Sequence, residues 1–226
     1  MDSIQQALQH LEKRYGPQGW WPGLVMEHGT WNIKHGAKPS ERFLKNKSAQ
    51  AFEVAIGAIL TQNTSWSNVE KALICLAKKK LLTPQAIIAS RPSILASCIR
   101  SSGYFRQKTK KLKILSKFVM NELDGDLSQL VDRCFTLHAS RFRLLSLWGI
   151  GPETADTILL YGLNQPTFVV DAYTRRWLTF IGGRGGFETR PYEEIKNIFE
   201  SALPHSVKTY QESHALIVKW GKERHP

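Results

Sequence analysis

The sequence has no run approaching 18 apolar residues, so no segment is long and apolar enough to span a bilayer as a helix. It opens Met1-Asp2-Ser3-Ile4-Gln5-Gln6, without the apolar stretch of a secretory signal. Cysteine is scarce and odd in number: Cys75, Cys98 and Cys134 lie too far apart for a CxxC metal knuckle or a disulfide framework. No stretch of useful length alternates apolar with polar residues, which argues against a sheet, and no repeat or low-complexity tract is present. Acids are also few, 19 against 31 Lys plus Arg, which leaves a formal charge of +12. With 42% hydrophobic residues and seven Trp in 226 residues, the chain can bury a core and is not expected to be disordered. These absences lead to the expectation of a soluble cytoplasmic monomer that contacts no membrane. Nucleic acid is the first partner to test, because a polyanion is where surplus cations stabilise most. Basicity alone decides little, since many basic proteins bind no nucleic acid.

Periodicity points to helices throughout. Residues 51–63 place Phe52, Ala55, Ile56, Ile59 and Leu60 on one face, and 105–120 do the same with Leu112, Leu115, Phe118 and Val119. Further helical stretches fit 3–14, 66–80, 83–89, 92–100, 140–147, 152–162, 172–181, 191–202 and 206–221. Thr83-Pro84, Arg91-Pro92 and Arg190-Pro191 set a proline at the first turn of three of them. The expected class is all-α. Two connections break the pattern: 30–50, which lacks a clean period, and 182–190, whose four glycines suggest a flexible link.

The positive charge is concentrated. The 30–50 connection carries Lys34, Lys38, Arg42, Lys45 and Lys47 against Glu41 alone. Arg106, Lys108, Lys110, Lys111, Lys113 and Lys117 fall in a stretch without any acid. On a helix, Lys110, Lys113 and Lys117 share a face, which reads either as a solvated amphipathic surface or as a phosphate-tracking one. The lack of compensating Glu at i±4 favours phosphate, since a merely soluble helix usually mixes signs.

The most informative segment is Leu144-Leu145-Ser146-Leu147-Trp148-Gly149-Ile150-Gly151-Pro152-Glu153-Thr154-Ala155. A helix ends near Leu147, a Gly-x-Gly turn follows, and a new helix opens at Pro152. Gly149 and Gly151 permit positive φ and leave no Cβ in the way, so N–H groups at the new helix start can approach a phosphate closely. Ile150 between them anchors the turn by packing inward. Gly-x-Gly alone is an ordinary interhelical turn; the surrounding L-x-G-I-G-x-x-T-A-x-x-I-L is far more specific.

On this segment the chain resembles the helix-hairpin-helix DNA glycosylase superfamily, to which endonuclease III belongs. Phe168-Val169-Val170-Asp171-Ala172-Tyr173-Thr174-Arg175-Arg176 is similar to that family's V-D-x-x-x-x-R segment. Ile59-Leu60-Thr61-Gln62-Asn63-Thr64 resembles the segment that wedges into DNA, and Gly103-Tyr104-Phe105-Arg106-Gln107-Lys108 the loop that probes the opposite strand. The resemblance spans about residues 50 to 220. It implies two helical lobes with the active site in the cleft between them. One lobe, at 43–165, holds six helices with the wedge and hairpin. The other is discontinuous, built from 1–42 and 166–226.

Local sequence alone reads Asp171 as the N-cap of the following helix. A rigidly held carboxylate also suits N-glycosidic cleavage, which passes through an oxocarbenium-like sugar, and the resemblance implies that catalytic role for Asp171. Bifunctional relatives attack with a lysine two residues after the hairpin's second glycine. Glu153 stands there, and a carboxylate forms no imine, so a monofunctional enzyme without AP-lyase activity is implied. Endonuclease III carries a four-cysteine iron–sulfur cluster near its C-terminus; no Cys follows Cys134, so no cluster, metal or other cofactor is expected.

Trp20-Trp21-Pro22 reads as core packing or, with Trp66, as a stacking slot for an extruded base. An indole face attracts cations, and purines alkylated at N3 or N7 are cationic and leave readily. A Trp-Trp-Pro segment, L-T-Q-N-T followed by an aromatic, and Glu at the lysine position make the chain similar to the endonuclease III-like 3-methyladenine DNA glycosylases. That resemblance implies a base pocket of Trp20, Trp21, Pro22, Trp66 and Glu153. It implies DNA contacts from Gln62, Tyr104, Lys108, Gly149, Ile150, Gly151, Thr154 and Arg175. The expected partner is duplex DNA with a damaged base, and the expected reaction is release of a 3-methyladenine-type purine in base excision repair. Two alternatives stay open: the same scaffold acting on mismatched thymine, uracil or an oxidised purine, and a DNA-binding module without chemistry.

Overall fold

The computed structural model describes residues 4–19, 21–34, 44, 46–134, 136–183 and 186–224. Helices dominate them, and the chain divides into two compact units, Met1–Trp20 with Asn164–Pro226, and Trp21–Leu163. The first division thus falls at Trp21, where the sequence reading put it at 42. The reason is local: Leu24 is buried in the core of the central unit, and its N–H donates to Glu53 Oε1 at 2.9 Å.

The central unit is built around α2 (Lys47–Thr61), in which every residue from Gln50 to Leu60 is buried. It starts earlier than its apolar period, because Asn46 Oδ1 accepts the N–H groups of Ser48 (2.7 Å) and Ala49 (3.4 Å). Around it follow α3 (Trp66–Lys78), α4 (Pro84–Ala89), α5 (Pro92–Cys98), a 3₁₀ turn at Arg100–Ser102 and α6 (Phe105–Glu122). Then come α7 (Gln129–Arg133), α8 (Leu137–Leu145) and α9 (Pro152–Thr157). Pro84 and Pro92 open their helices as expected. The stretch read as one helix over 152–162 changes pitch, continuing from α9 as a π-helical turn over Ile158–Gly162.

The expectation of no sheet is corrected by a small hairpin. Strand β1 (Gly23–Glu27) pairs antiparallel with β2 (Thr30–Lys34), Leu24 opposite Ile33 and Met26 opposite Trp31. The two turn residues, His28 and Gly29, have φ of 49° and 77°, which suits a two-residue hairpin. In β2 only Trp31 and Ile33 turn inward, an alternation too short to register as a period. Of the 30–50 connection, 30–34 is therefore strand and 46–50 belongs to the start of α2, while 35–43 and 45 lie outside the described residues.

The terminal unit holds α1 (Ile4–Tyr15), α10 (Ala172–Gly182), α11 (Tyr192–Ala202) and α12 (Val207–Arg224). Its core includes Phe168 stacked on Phe199 (4.2 Å between centroids) with Tyr210 edge-on at 5.7 Å. Among the described residues the extended segment before α10 has no sheet partner. Phe168 N–H instead donates to Glu200 Oε1 (2.8 Å) and Val170 N–H to the Tyr192 hydroxyl (3.3 Å). These bonds fix the approach to Asp171.

In the central unit, Arg141 of α8 grips Asp156 of α9 through two hydrogen bonds of 2.7 and 3.2 Å, with the Asp156 carboxylate fully buried. Replacing Arg141 with Met removes both of these bonds from a buried carboxylate and should cost about 3–5 kcal/mol in urea unfolding. Breaking the exposed Arg133–Asp124 pair by Arg133→Ala should cost under about 1 kcal/mol.

Candidate active site and nucleic-acid interface

The hairpin between α8 and α9 is tightly wound: Leu147 N–H donates to Leu144 O, and Ile150 N–H to Leu147 O, both at 3.1 Å. Ile150 is buried, as an inward anchor should be. Gly149 has φ +86°, and a Cβ there would meet the Lys111 stem at 2.6–2.8 Å. Gly151 uses no such freedom; it is the extended N-cap of α9 with φ −96°. What its missing side chain leaves is open space, with nothing within 4 Å of a Cβ, in front of the first N–H groups of α9.

The hairpin and the expected wedge are one network. Gln62, just past α2, donates from Nε2 to Gly149 O (3.2 Å) and Thr154 Oγ1 (2.9 Å). Its Oε1 accepts from Lys111 Nζ, an ammonium whose pKa burial lowers. Gln62 and Lys111 also line a pocket of about 170 Å³ with Asn63, Tyr104, Gln107 and Lys108. Asn63 (φ 54°) and Tyr104 (φ 43°) are both left-handed, a costly backbone state for non-glycine residues. Tyr104 is 64% exposed at the start of α6, where a probing side chain would stand.

The basic run of α6 divides into two kinds. Lys108, expected on DNA, is instead buried and donates to Leu60 O (2.8 Å) and Ser102 O (2.6 Å). Burial and the neighbouring Lys111 charge lower its pKa to about 8. Lys113, expected on the phosphate face, donates to Ile88 O and Ser90 O at the end of α4. Arg106, Lys110 and Lys117 remain exposed. Lys110 Nζ lies 4.2 Å over the half-exposed Trp148 ring beside the hairpin.

Trp21 and Trp66 come together as the sequence suggested. Their rings meet edge to face at 5.2 Å, and Trp21 also packs 5.4 Å from Tyr161, on the π-helical turn. Gly57, mid-helix in α2, makes room: its Cβ would sit 3.0 Å from Trp21 Cζ2. Both indole N–H groups are buried without an acceptor among the described residues, which is rare in folded proteins. Pro22 is half-buried just before β1, Glu153 is exposed in the first turn of α9, and Trp20 lies outside the described residues. Sequence reasoning missed Tyr161, whose position depends on the change of pitch after α9.

In the terminal unit Asp171 caps α10 as expected, its Oδ1 accepting Thr174 N–H (2.7 Å) and Thr174 Oγ1–H (2.9 Å). Its Oδ2 lies 3.5 Å from His214 Nε2 on α12, a partner that no local motif announced. Burial works to raise the carboxyl, but His214 and then the Thr174 donors outweigh it and hold it below the usual aspartate range. Arg175, expected on DNA, turns its Nη1 to the carbonyls of Arg190 (2.6 Å), Glu188 (3.3 Å) and Phe187 (3.5 Å). It therefore secures the loop after α10. No cluster of three or more His, Cys, Asp or Glu suited to a metal occurs among the described residues.

Lys108→Met should destabilise the protein by about 1–3 kcal/mol, because two buried carbonyls lose their donor. The salt dependence of its duplex DNA affinity should not change. Lys110→Ala should do the reverse, leaving the unfolding midpoint alone and reducing the log–log salt slope by about one. Fluorescence titrations at several salt concentrations, alongside urea unfolding, separate the two.

Comparison with known proteins places this geometry. Residues 56–205 match the model of the HhH-GPD superfamily base excision DNA repair proteins. A Methanocaldococcus jannaschii protein named as a DNA repair glycosylase is 38% identical over 209 residues, covering 92% of this chain and 82% of that one. Endonuclease III of Thermotoga maritima is 31% identical over 170 residues, covering 73% and 71%. Among solved structures, the H. pylori 3-methyladenine DNA glycosylase MagIII bound to 1,N6-ethenoadenine superposes with a TM-score of 0.74, 25% identity and full coverage of both chains. The chain belongs to the HhH-GPD superfamily of base excision DNA repair proteins and is a DNA glycosylase of that family.

Proposed function

We propose that this glycosylase is monofunctional and releases cationic alkylated purines of the 3-methyladenine type from duplex DNA, acting as a cytoplasmic monomer. The observation that carries the substrate class is the three-ring cluster of Trp21, Trp66 and Tyr161 with its two open indole donors. Electron-rich ring faces favour a base that carries positive charge. The likeness to a 3-methyladenine glycosylase over the whole of both chains supports the same choice.

The chemistry asks little of the protein. An N3- or N7-alkylated purine already carries the charge that departure neutralises, so its glycosidic bond breaks with the electron pair moving into the ring. The developing cation at C1′ is stabilised by a carboxylate, and Asp171, held ionised, supplies one. Water adds its oxygen to C1′ and gives up a proton, for which the same carboxylate is the acceptor. Glu153, exposed where lyases carry lysine, offers no amine for an imine. The reading includes no iron–sulfur cluster, because such a cluster takes four thiolates and the sequence holds Cys75, Cys98 and Cys134. Burial and the Cys75 neighbour push the Cys98 thiol up to about 12, the opposite of what a ligand thiolate needs.

DNA binding draws on the hairpin and its surroundings: the open space at Gly151 before α9, the Gln62 wedge tied to Thr154, and exposed Lys110. The test is release of free base from N-methylated duplex DNA, followed chromatographically. Free 3-methyladenine should appear, Asp171→Asn should slow release by about 10²-fold or more, and Trp66→Ala by about 5–150-fold. Borohydride should trap no adduct. A trapped adduct, or release confined to thymine, uracil or oxidised purines, overturns the proposal.

A further inference from the structure

The Asp171 carboxylate is held on both sides, and only one side is accounted for by the cap. Thr174 takes Oδ1 through its N–H and hydroxyl, as an N-cap does. Oδ2 faces His214, whose ring sits 3.5 Å away on α12. The two side chains are 15% and 12% exposed, so their interaction is little screened by water. The Phe168 ring stands edge-on to the imidazole at 87°, 6.4 Å between centroids.

We propose that His214 is a positioning residue for base release: facing Oδ2 across 3.5 Å, it favours the ionised form of the Asp171 carboxylate and fixes the direction of Oδ2. This rests on the reading of Asp171 given above. A desolvated carboxylate tends to pick up a proton, and a protonated Asp171 neither stabilises a C1′ cation nor accepts a proton from water. The cap bonds to Thr174 alone come from neutral donors. A cation beside Oδ2 adds the charge that they lack.

Several other charged groups of the packed elements are engaged elsewhere. From α10, Arg175 is turned to the carbonyls of 187, 188 and 190. On α12, Glu212 accepts Gln18 N–H, and the hydroxyl of Tyr210, one turn before His214, lies 3.3 Å from His205 Nδ1. Arg14 of α1 and Lys219 of α12 both lie 3.5 Å from Glu223, and Glu200 of α11 accepts Phe168 N–H. His214 is the side chain that faces Oδ2.

The sign of the pH effect follows. The folded carboxyl titrates below its ordinary value of about 3.9, so its ionised form persists above that value and is lost as pH falls through the lower one. Base release by the wild type should therefore have no acid limb from Asp171 down to about pH 4. In His214→Gln burial is opposed by Thr174 alone, and the limb should move up by about one pH unit or more. Below the shifted limb, single-turnover release should then fall by up to about tenfold relative to wild type and recover as pH rises. His214→Lys, which restores a cation, should return the limb toward the wild-type position.

A readout independent of activity uses ¹³C-carboxyl aspartate labelling, with the Asp171 resonance assigned by its loss in Asp171→Asn. The Asp171 signal should titrate below the ordinary aspartate range in wild type and higher in His214→Gln. Wild-type titration at or above the ordinary range overturns the inference, even if no His214 variant folds. So does a His214→Gln profile that is uniformly depressed at every pH, or identical to wild type, while Asp171→Asn is inactive. If Asp171→Asn itself releases base normally, the catalytic reading of Asp171 is what has failed.

Discussion

The central unit depends on closing the C-terminal end of a helix that is buried along most of its length. α2 runs through the core, and the carbonyls of its last turn have no partner within the helix. Lys108 reaches in from α6 to bind Leu60 O, and with the same ammonium it binds Ser102 O. That one contact joins the end of α2 to the turn before α6. Gln62 follows from the first and Tyr104 from the second, so the two side chains expected to handle the gapped duplex are set from one fixed point. The left-handed backbone at Asn63 and Tyr104 is tolerated because both chain directions are already determined on either side.

This changes the meaning of the net charge. A surplus of cations suggested a polyanion, and the family confirms that DNA is the substrate, yet several of those cations never face it. Lys108 and Lys113 close helix ends, Arg141 neutralises Asp156, and Arg175 gathers the carbonyls of a loop. Lys111 holds Gln62 against the hairpin while its stem fills the space above Gly149. Cations used in this way shape the surface, while Arg106, Lys110 and Lys117 stay exposed on it.

Most of the helices were legible because their causes are local. Proline at N1 of α4 and α5 and the apolar period of α6 each lie within one stretch of sequence. The hairpin motif was legible for the same reason. The misses share a different cause. β2 contributes only Trp31 and Ile33 to the core, so its period was too short to read. Gly151 looked like a second positive-φ residue because glycine permits that state; the conformation it adopts is set by the helix it caps. The single run 152–162 gave no sign of changing pitch, since its apolar residues suit an α-helix as well as a π-helical turn.

By itself the sequence determined the helical class, the hairpin and the type of carboxylate at the start of α10, all of which are encoded by residues adjacent in the chain. Tertiary structure alone decided which lysines bind carbonyls, that Gln62 is tied to Thr154, and that Asp171 meets His214. The physical reason is that a side chain's protonation and direction are set by whatever packs against it. In this protein those neighbours come from helices far away in the sequence.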